Sequence, residues 1–208
     1  MSNVRHHKAS PVQLATFLTT VRSVPELQQQ AVLVERIGNL LQSDTSCLGA
    51  AVAGSLASGR GDRLSDIDLV VFCTKGSSSA LLAKLREVSE TARVLYRLAG
   101  EHDEASKYEK TILYDLCSYE FHVIEPQTAF QLMAPYIELV NREGMLESRF
   151  SPSKPPTHEE HTPYPNGDAG LTWELFNCIK WLARGENDQT RRYLSKLARA
   201  LPQVAGEA

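Results

Sequence analysis

None of the 208 residues falls in an apolar run of the ~18 residues from which a membrane-spanning helix is built, so no such span is expected. The opening MSNVRHHKAS lacks an apolar h-region and does not read as a secretory signal. Cysteine is sparse: Cys47, Cys73, Cys117 and Cys178 form neither a CxxC pair nor a dense framework. That spacing argues against zinc and disulfides and for reduced thiols in a cytoplasmic chain. Positive charge is not in excess either, with 22 Lys and Arg against 25 Asp and Glu and a net charge of −3. Non-specific binding to a nucleic-acid backbone is therefore not expected. There is no internal repeat and no low-complexity run. What is present is ordinary globular composition, 42% apolar and 23% charged. The length suits one domain with a real core, or one domain with a small appendage.

Two helices are expected near the start, over residues 11–23 and 25–43, with Pro11 and Pro25 where helix starts tolerate proline. CLGAAVAG (47–54) reads as a buried strand and 65–73 as the next. A helix of about 15 residues follows Ser77–Ser79. Strands are expected over 93–99, 110–117 and 119–125, the last two joined by a turn near Cys117 and Ser118, and then a helix over 127–139. Prolines 152, 155, 156, 163 and 165 make 151–168 an extended linker. The expected organisation is a domain over 1–150, that linker, and a helical segment over 169–208. In the helical segment Leu171, Leu175, Ile179 and Leu182 form one stripe; Tyr193, Leu194, Leu197, Ala198 and Leu201 form another. These two helices cannot bury both faces alone, and are expected to pack on the first domain or on another subunit. A homodimer is one such arrangement.

The chemistry concentrates in GSLASGRGDRLSDIDLVVF, residues 54–72. Asp66 and Asp68 lie two apart in a strand that otherwise reads as core, and unpartnered buried carboxylates are costly. The strand period of two puts both on one face, about 6–7 Å apart. Such a pair can converge on two hard cations about 3.5–4 Å apart. Oxygen ligands suit magnesium, which completes its shell with water and phosphate oxygens. Gly54 and Ser55 follow the preceding strand and open a short helical turn whose N–H groups and hydroxyl can cradle phosphate, glycine admitting a close approach. Gly59 and Gly61 let the chain reverse, and Arg60 and Arg63 are within loop reach of a triphosphate. Each part alone is commonly a turn or a strand-end device; the conjunction, in this order between apolar strands, describes a site for a nucleoside triphosphate.

Gly54-Ser55, eleven residues to Asp66, and Asp-Ile-Asp within SDIDLVVF resemble the signature of the polymerase-beta-type nucleotidyltransferase superfamily, in the flavour of its small bacterial aminoglycoside and lincosamide members. The likeness is specific over about 20 residues and looser over 47–150. VNREGMLES (140–148) looks like a late strand-turn-strand of antibiotic-modifying members, and TWELFNCIKWLARGENDQTRRYL like their C-terminal helices. The resemblance implies an α+β fold, a mixed and mostly antiparallel sheet flanked by helices. It also implies magnesium-dependent transfer of a nucleoside monophosphate, with ATP the expected donor, to an acceptor hydroxyl or phosphate, releasing pyrophosphate. A third carboxylate is implied on a neighbouring strand, and Glu120 in Tyr119-Glu120-Phe121 fits best, longer by a methylene than the commoner Asp. It would hold a metal or act as general base. Asp115 competes with it and Glu125 is a further candidate. Without metal the three acids should repel one another, raising at least one pKa.

Three functions follow: transfer to a small-molecule hydroxyl, an antibiotic among the candidates; modification of a protein, as in toxin–antitoxin systems; or nucleotide binding without catalysis. Residues 151–208 hold seven basic and seven acidic side chains, so no acidic excess is there to greet a polycationic aminoglycoside. His158 and His161 (HEEH) read as solvated linker rather than zinc ligands, and His6 and His7 as part of a loose leader. Trp173 and Trp181 read as core, with stacking on a base or acceptor ring the alternative. Glu174 reads as an early-helix acid favoured by the dipole, with an extra base the alternative.

Overall fold

The computed structural model describes residues 12–90, 92–154 and 162–202. The chain divides into two compact units, Met1–Pro155 and Pro156–Ala208. The first is an α+β unit: β1 (Val12–Gln13), α1 (Leu14–Arg22), a 3-10 turn (Pro25–Leu27), α2 (Gln28–Ser43), β2 (Cys47–Val52), α3 (Gly54–Ala57), β3 (Ile67–Cys73), α4 (Ser78–Ser89), β4 (Val94–Glu101), β5 (Lys107–Leu113), β6 (Ser118–Ile124), β7 (Leu132–Met133), β8 (Ile137–Asn141), α5 (Met145–Ser148) and β9 (Phe150–Ser151). A seven-stranded sheet runs β1-β8-β2-β3-β6-β5-β4. Its pairs are antiparallel except β1 with β8 and β3 with β6.

The apolar run of β3 sits at the centre because both its faces are covered. Ile67, Leu69 and Val71 pack with Phe17 of α1, Ile37 of α2 and Leu81 of α4. On the opposite face Val70 and Phe72 join Ala51, Ile124, Leu132, Tyr136 and Leu146 in a smaller core. The sheet is thus roofed by helices on one side. On the other, apolar cover gives way to polar side chains toward the start of β3 and β6. Cys47, Cys73, Cys117 and Cys178 are free and buried. Burial pushes the thiols of Cys47, Cys73 and Cys117 up to about 12, which leaves them protonated and inert.

Glu109 on β5 is fully buried and ties α4 to the sheet through Arg86 Nε at 2.5 Å and Arg97 Nε at 3.3 Å. Removing one partner of such a pair leaves charge uncompensated. Glu109→Ala is expected to cost about 3 kcal/mol, the low end for a buried pair because both guanidiniums reach water. Urea unfolding checks this: the midpoint falls with an unchanged slope.

The helix expected over 127–139 is not formed. Pro126 precedes that segment and Pro135 falls inside it, where a proline ring breaks a helix. Ile137–Asn141 instead pairs with β2 and forms β8. The hairpin turn lies at Tyr114–Cys117 rather than at Cys117–Ser118, with Leu116 at φ 66°. VNREGMLES continues from β8 through a turn with Glu143 at φ 52° and Gly144 at φ 71° into the one-turn helix α5, not directly into a strand.

The second unit holds α6 (Gly167–Ala183) and α7 (Asn187–Ala200). Cys178, Trp181, Tyr193 and Leu197 form its core, with Leu171 packed against them. The rest of the expected α6 stripe faces outward, with Leu175 46%, Ile179 56% and Leu182 51% exposed. The reason is size: the helix turns Trp181 into this core, and a tryptophan carries more apolar area than a leucine. On α7, Tyr193 and Leu197 are buried, while Leu194, Ala198 and Leu201 are exposed.

Candidate functional site

As β2 ends, the backbone N–H of Ala53 donates to the carbonyl of Asp68 at 2.8 Å. Gly54 then turns at φ +70°, a conformation that disfavours side chains. A Cβ on Gly54 would lie 1.8 Å from Asp68 Oδ2 and 2.9 Å from its Cγ. The carboxylate of Asp68 therefore occupies the space that any other residue at 54 would fill. After the single turn of α3, the Asp62 carboxylate accepts from the Leu64 N–H at 2.9 Å and the Ser65 hydroxyl at 3.1 Å, closing the loop that leads to Asp66. The buried Gln30 of α2 secures this loop, its Nε2 donating to the Arg63 carbonyl at 3.1 Å and the Ser65 carbonyl at 3.4 Å.

Strand alternation buries Ile67 and Leu69 beneath the helices and leaves Asp68 half-buried on the opposite face. Asp66 lies just before β3, and its carboxylate accepts from the hydroxyl of Ser118 at the start of β6. Because β3 and β6 run parallel in register, Asp68 stands directly beside Glu120 on the next strand, about 4.8 Å away across the ladder. The structure thus brings Gly54, Asp68 and Glu120 together, with Asp66 two residues before Asp68, at the entry to β3.

Glu120 has cationic company. Lys110 Nζ, opposite it on β5, lies 3.0 Å from its Oε1, and His122 Nε2 lies 3.1 Å from the same oxygen. Burial raises the Glu120 pKa, but hydrogen bonding and charge from His122 and Lys110 outweigh it and hold the carboxyl at about 2. Glu120 is therefore not an acid whose pKa repulsion raises, because its partners Lys110 and His122 favour the carboxylate. A depressed carboxylate stabilises the fold fully above its ordinary value of 4.5, and that stabilisation is lost as pH falls toward about 2. Glu120→Gln should therefore narrow its stability gap from the parent as pH drops from about 5 to about 2, measured by denaturant titration across that range.

Asp115 and Glu125 are placed elsewhere. Asp115 lies in the hairpin turn, accepting from the Cys117 N–H at 3.0 Å and from Gln29. Glu125 is buried at the start of α4, accepting from the Gly76 N–H at 2.9 Å and the Ser78 N–H at 3.3 Å. It serves as a helix cap donated by a distant strand, and the Gly76 N–H first of all lowers its pKa. Arg60 and Arg63 are exposed on the loop between α3 and β3; Arg60 Nε donates to Ser58 Oγ at 3.2 Å. In the second unit, Trp173 and Trp181 are buried and the Glu174 carboxylate accepts from the Tyr193 hydroxyl. His6, His7, His158 and His161 lie outside the described residues.

Sequence reasoning missed Lys110 and His102, and gave His122 a place but no role. His102 Nε2 and His122 Nδ1 are 2.8 Å apart, so the pair extends from Glu120 along the sheet. Burial, then the neighbouring His122, lowers the His102 pKa. The alternation in SYEFHVI did place His122 on the Glu120 face; Lys110 needed the β5–β6 register and His102 the β4–β5 loop.

Among the described residues no group of three His, Cys, Asp or Glu side chains could by itself hold a metal ion. The chemistry of the aspartate pair nevertheless fits a hard divalent cation, since magnesium is commonly held by one or two carboxylates and completed by water and phosphate oxygens. The bare Gly54 Cα lets the Asp68 carboxylate lie directly against the turn. No protein-family model matches the chain, and no curated protein matches it.

Proposed function

We propose that the chain is a nucleotidyltransferase of the polymerase-beta type, with ATP as donor and a small-molecule hydroxyl as acceptor. The observation that carries this reading is the packing of the Gly54 turn against the Asp68 carboxylate with Glu120 in register beside it. Asp66 and Asp68 would hold magnesium, which would withdraw charge from the α-phosphate when bound. Gly54 and Ser55 would receive the triphosphate, with Arg60 and Arg63 in reach of its outer phosphates. The acceptor oxygen forms a bond to the α-phosphorus, the bond to pyrophosphate breaks on the opposite side, and the hydroxyl proton leaves to water. A carboxylate held at about 2 is a weak proton acceptor. Glu120 therefore contributes charge and position rather than acting as the general base.

The test is incubation with each labelled nucleoside triphosphate and Mg²⁺ against a panel of hydroxyl-bearing antibiotics and a protein extract. Labelled small product with stoichiometric pyrophosphate is expected; label on protein instead moves the acceptor to the protein class. Glu120→Gln is expected to lower transfer by about 10²-fold with nucleotide affinity retained.

One observation favours a second reading: the ion pair of Glu120 with Lys110 already neutralises the third carboxylate. On that reading the chain binds the nucleotide without turning it over. Calorimetry showing Mg²⁺-dependent ATP binding, with no pyrophosphate release for any acceptor, selects it.

A further inference from the structure

The sheet continues past Glu120 as an open face of rings. His122 stands two residues along β6 from Glu120, and Tyr108 of β5 pairs with it across the ladder. The next partner outward is Gly100 on β4. Tyr108 lies down over that glycine: a Cβ at position 100 would come 2.3 Å from Tyr108 Cζ and 2.4 Å from its hydroxyl oxygen. His102 and Phe130 complete the group, with the His102 ring centroid 5.0 Å from that of His122 and 5.6 Å from that of Phe130. His102 is exposed, and Tyr108, His122 and Phe130 are partly so. Rings packed only against one another would need no bare glycine beneath them. Here the glycine lets Tyr108 lie over its strand, so that the group forms a floor of tilted rings, His122 at 36° to Tyr108 and His102 edge-on to Phe130 at 70°.

Strand order says which substrate this floor serves, given the function proposed above. Gly54 follows β2, on one side of β3; β6, β5 and β4 lie on the other. In-line displacement puts the leaving and attacking oxygens on opposite sides of the phosphorus. With the pyrophosphate end at the Gly54 turn, the attacking hydroxyl comes from the Glu120 side, where the rings begin. We infer that His102, Tyr108, His122 and Phe130 form the acceptor subsite, and that the acceptor is a compound with a flat aromatic or heteroaromatic ring joined to a hydroxyl-bearing group. Ring faces recognise such a molecule by offset stacking. A non-planar polycation has no ring face to stack.

Two probes that share sugar hydroxyls and differ in the flat ring test this: 4-methylumbelliferyl β-glucoside and methyl β-glucoside. Each is titrated into the full chain, with and without Mg²⁺ and a saturating non-hydrolysable ATP analogue. Binding is followed by the imidazole Hε1 resonances of His102 and His122, and by fluorescence anisotropy for the umbelliferyl probe. The umbelliferyl probe is expected to shift both imidazoles, whether or not the analogue is bound, and to bind at least about ten-fold more tightly than methyl glucoside. Phe130→Ala and Gly100→Val should each weaken it about five-fold while the ATP analogue binds as before. The inference is overturned if neither imidazole moves, if the two glucosides bind alike, or if the analogue displaces the umbelliferyl probe, which would make the rings a nucleobase site. If the analogue fails to bind while the umbelliferyl probe still shifts both imidazoles, the nucleotide reading falls and the flat-ring site stands.

Discussion

Asp68→Asn is expected to lower nucleotidyl transfer by about two to four powers of ten, the loss of roughly 3–5 kcal/mol of transition-state stabilisation. The substitution keeps the shape of the side chain and removes its charge. The backbone carbonyl of residue 68 still accepts from Ala53, and β3 keeps its pairs with β2 and β6. The fold should therefore hold, with stability changing by about 0.5 kcal/mol or less. Asp66→Asn should behave alike, because an asparagine oxygen can still accept from the Ser118 hydroxyl that positions it. The measurement is initial transfer rate beside a thermal melt. Near-normal turnover by either variant, with a normal melt, removes the aspartates from the chemistry and the proposed function with them.

What could be read from the chain follows from which interactions are local. Asp66 and Asp68 stood out because two acids interrupt an apolar strand, and a period of two places them whatever the rest of the fold does. Glu120 was legible for the same reason, in an apolar-acid-apolar triplet, though its register beside Asp68 came only from the parallel pairing of β3 with β6. Its partners were not legible. Lys110 reaches Glu120 across a hairpin whose turn lay a few residues from where the sequence suggested, and a shifted turn changes every cross-strand partner. The downward direction of the Glu120 pKa depends on those partners and was not legible either. The segment 127–139 failed differently: its apolar spacing allowed a helix, but Pro135 lies within it, and the residues from Ile137 on pair with β2 instead. On α6 two apolar faces competed, and periodicity alone does not say which is heavier.

Gly54→Ala provides the second large effect, and Gly59→Ala is its control. Both glycines sit at positive φ, +70° for Gly54 and +69° for Gly59, so alanine strains the backbone at each by a similar ~1 kcal/mol. They differ in what surrounds them. Around Gly59 a Cβ would meet nothing within 4 Å, whereas at Gly54 it would fall 1.8 Å from Asp68 Oδ2. No rotation about the alanine bond relieves that overlap; the carboxylate or the turn has to move. A displaced Asp68 is no longer beside the turn that would receive the triphosphate, and a displacement of about 1 Å at a catalytic group costs on the order of 10²-fold in rate. Gly59→Ala should lose about 1 kcal/mol of stability and keep its affinity for a non-hydrolysable triphosphate. Gly54→Ala should lose at least as much stability and bind the analogue about ten-fold or more weakly. Gly54→Val should abolish binding, and Ser55→Ala should weaken it by only a few-fold, the hydroxyl being one donor among backbone N–H groups. Calorimetric titration of the four variants separates strain from contact. Equal affinity in Gly54→Ala and Gly59→Ala means that the triphosphate does not come to this turn, and that the glycine is there only to shape the entry to β3.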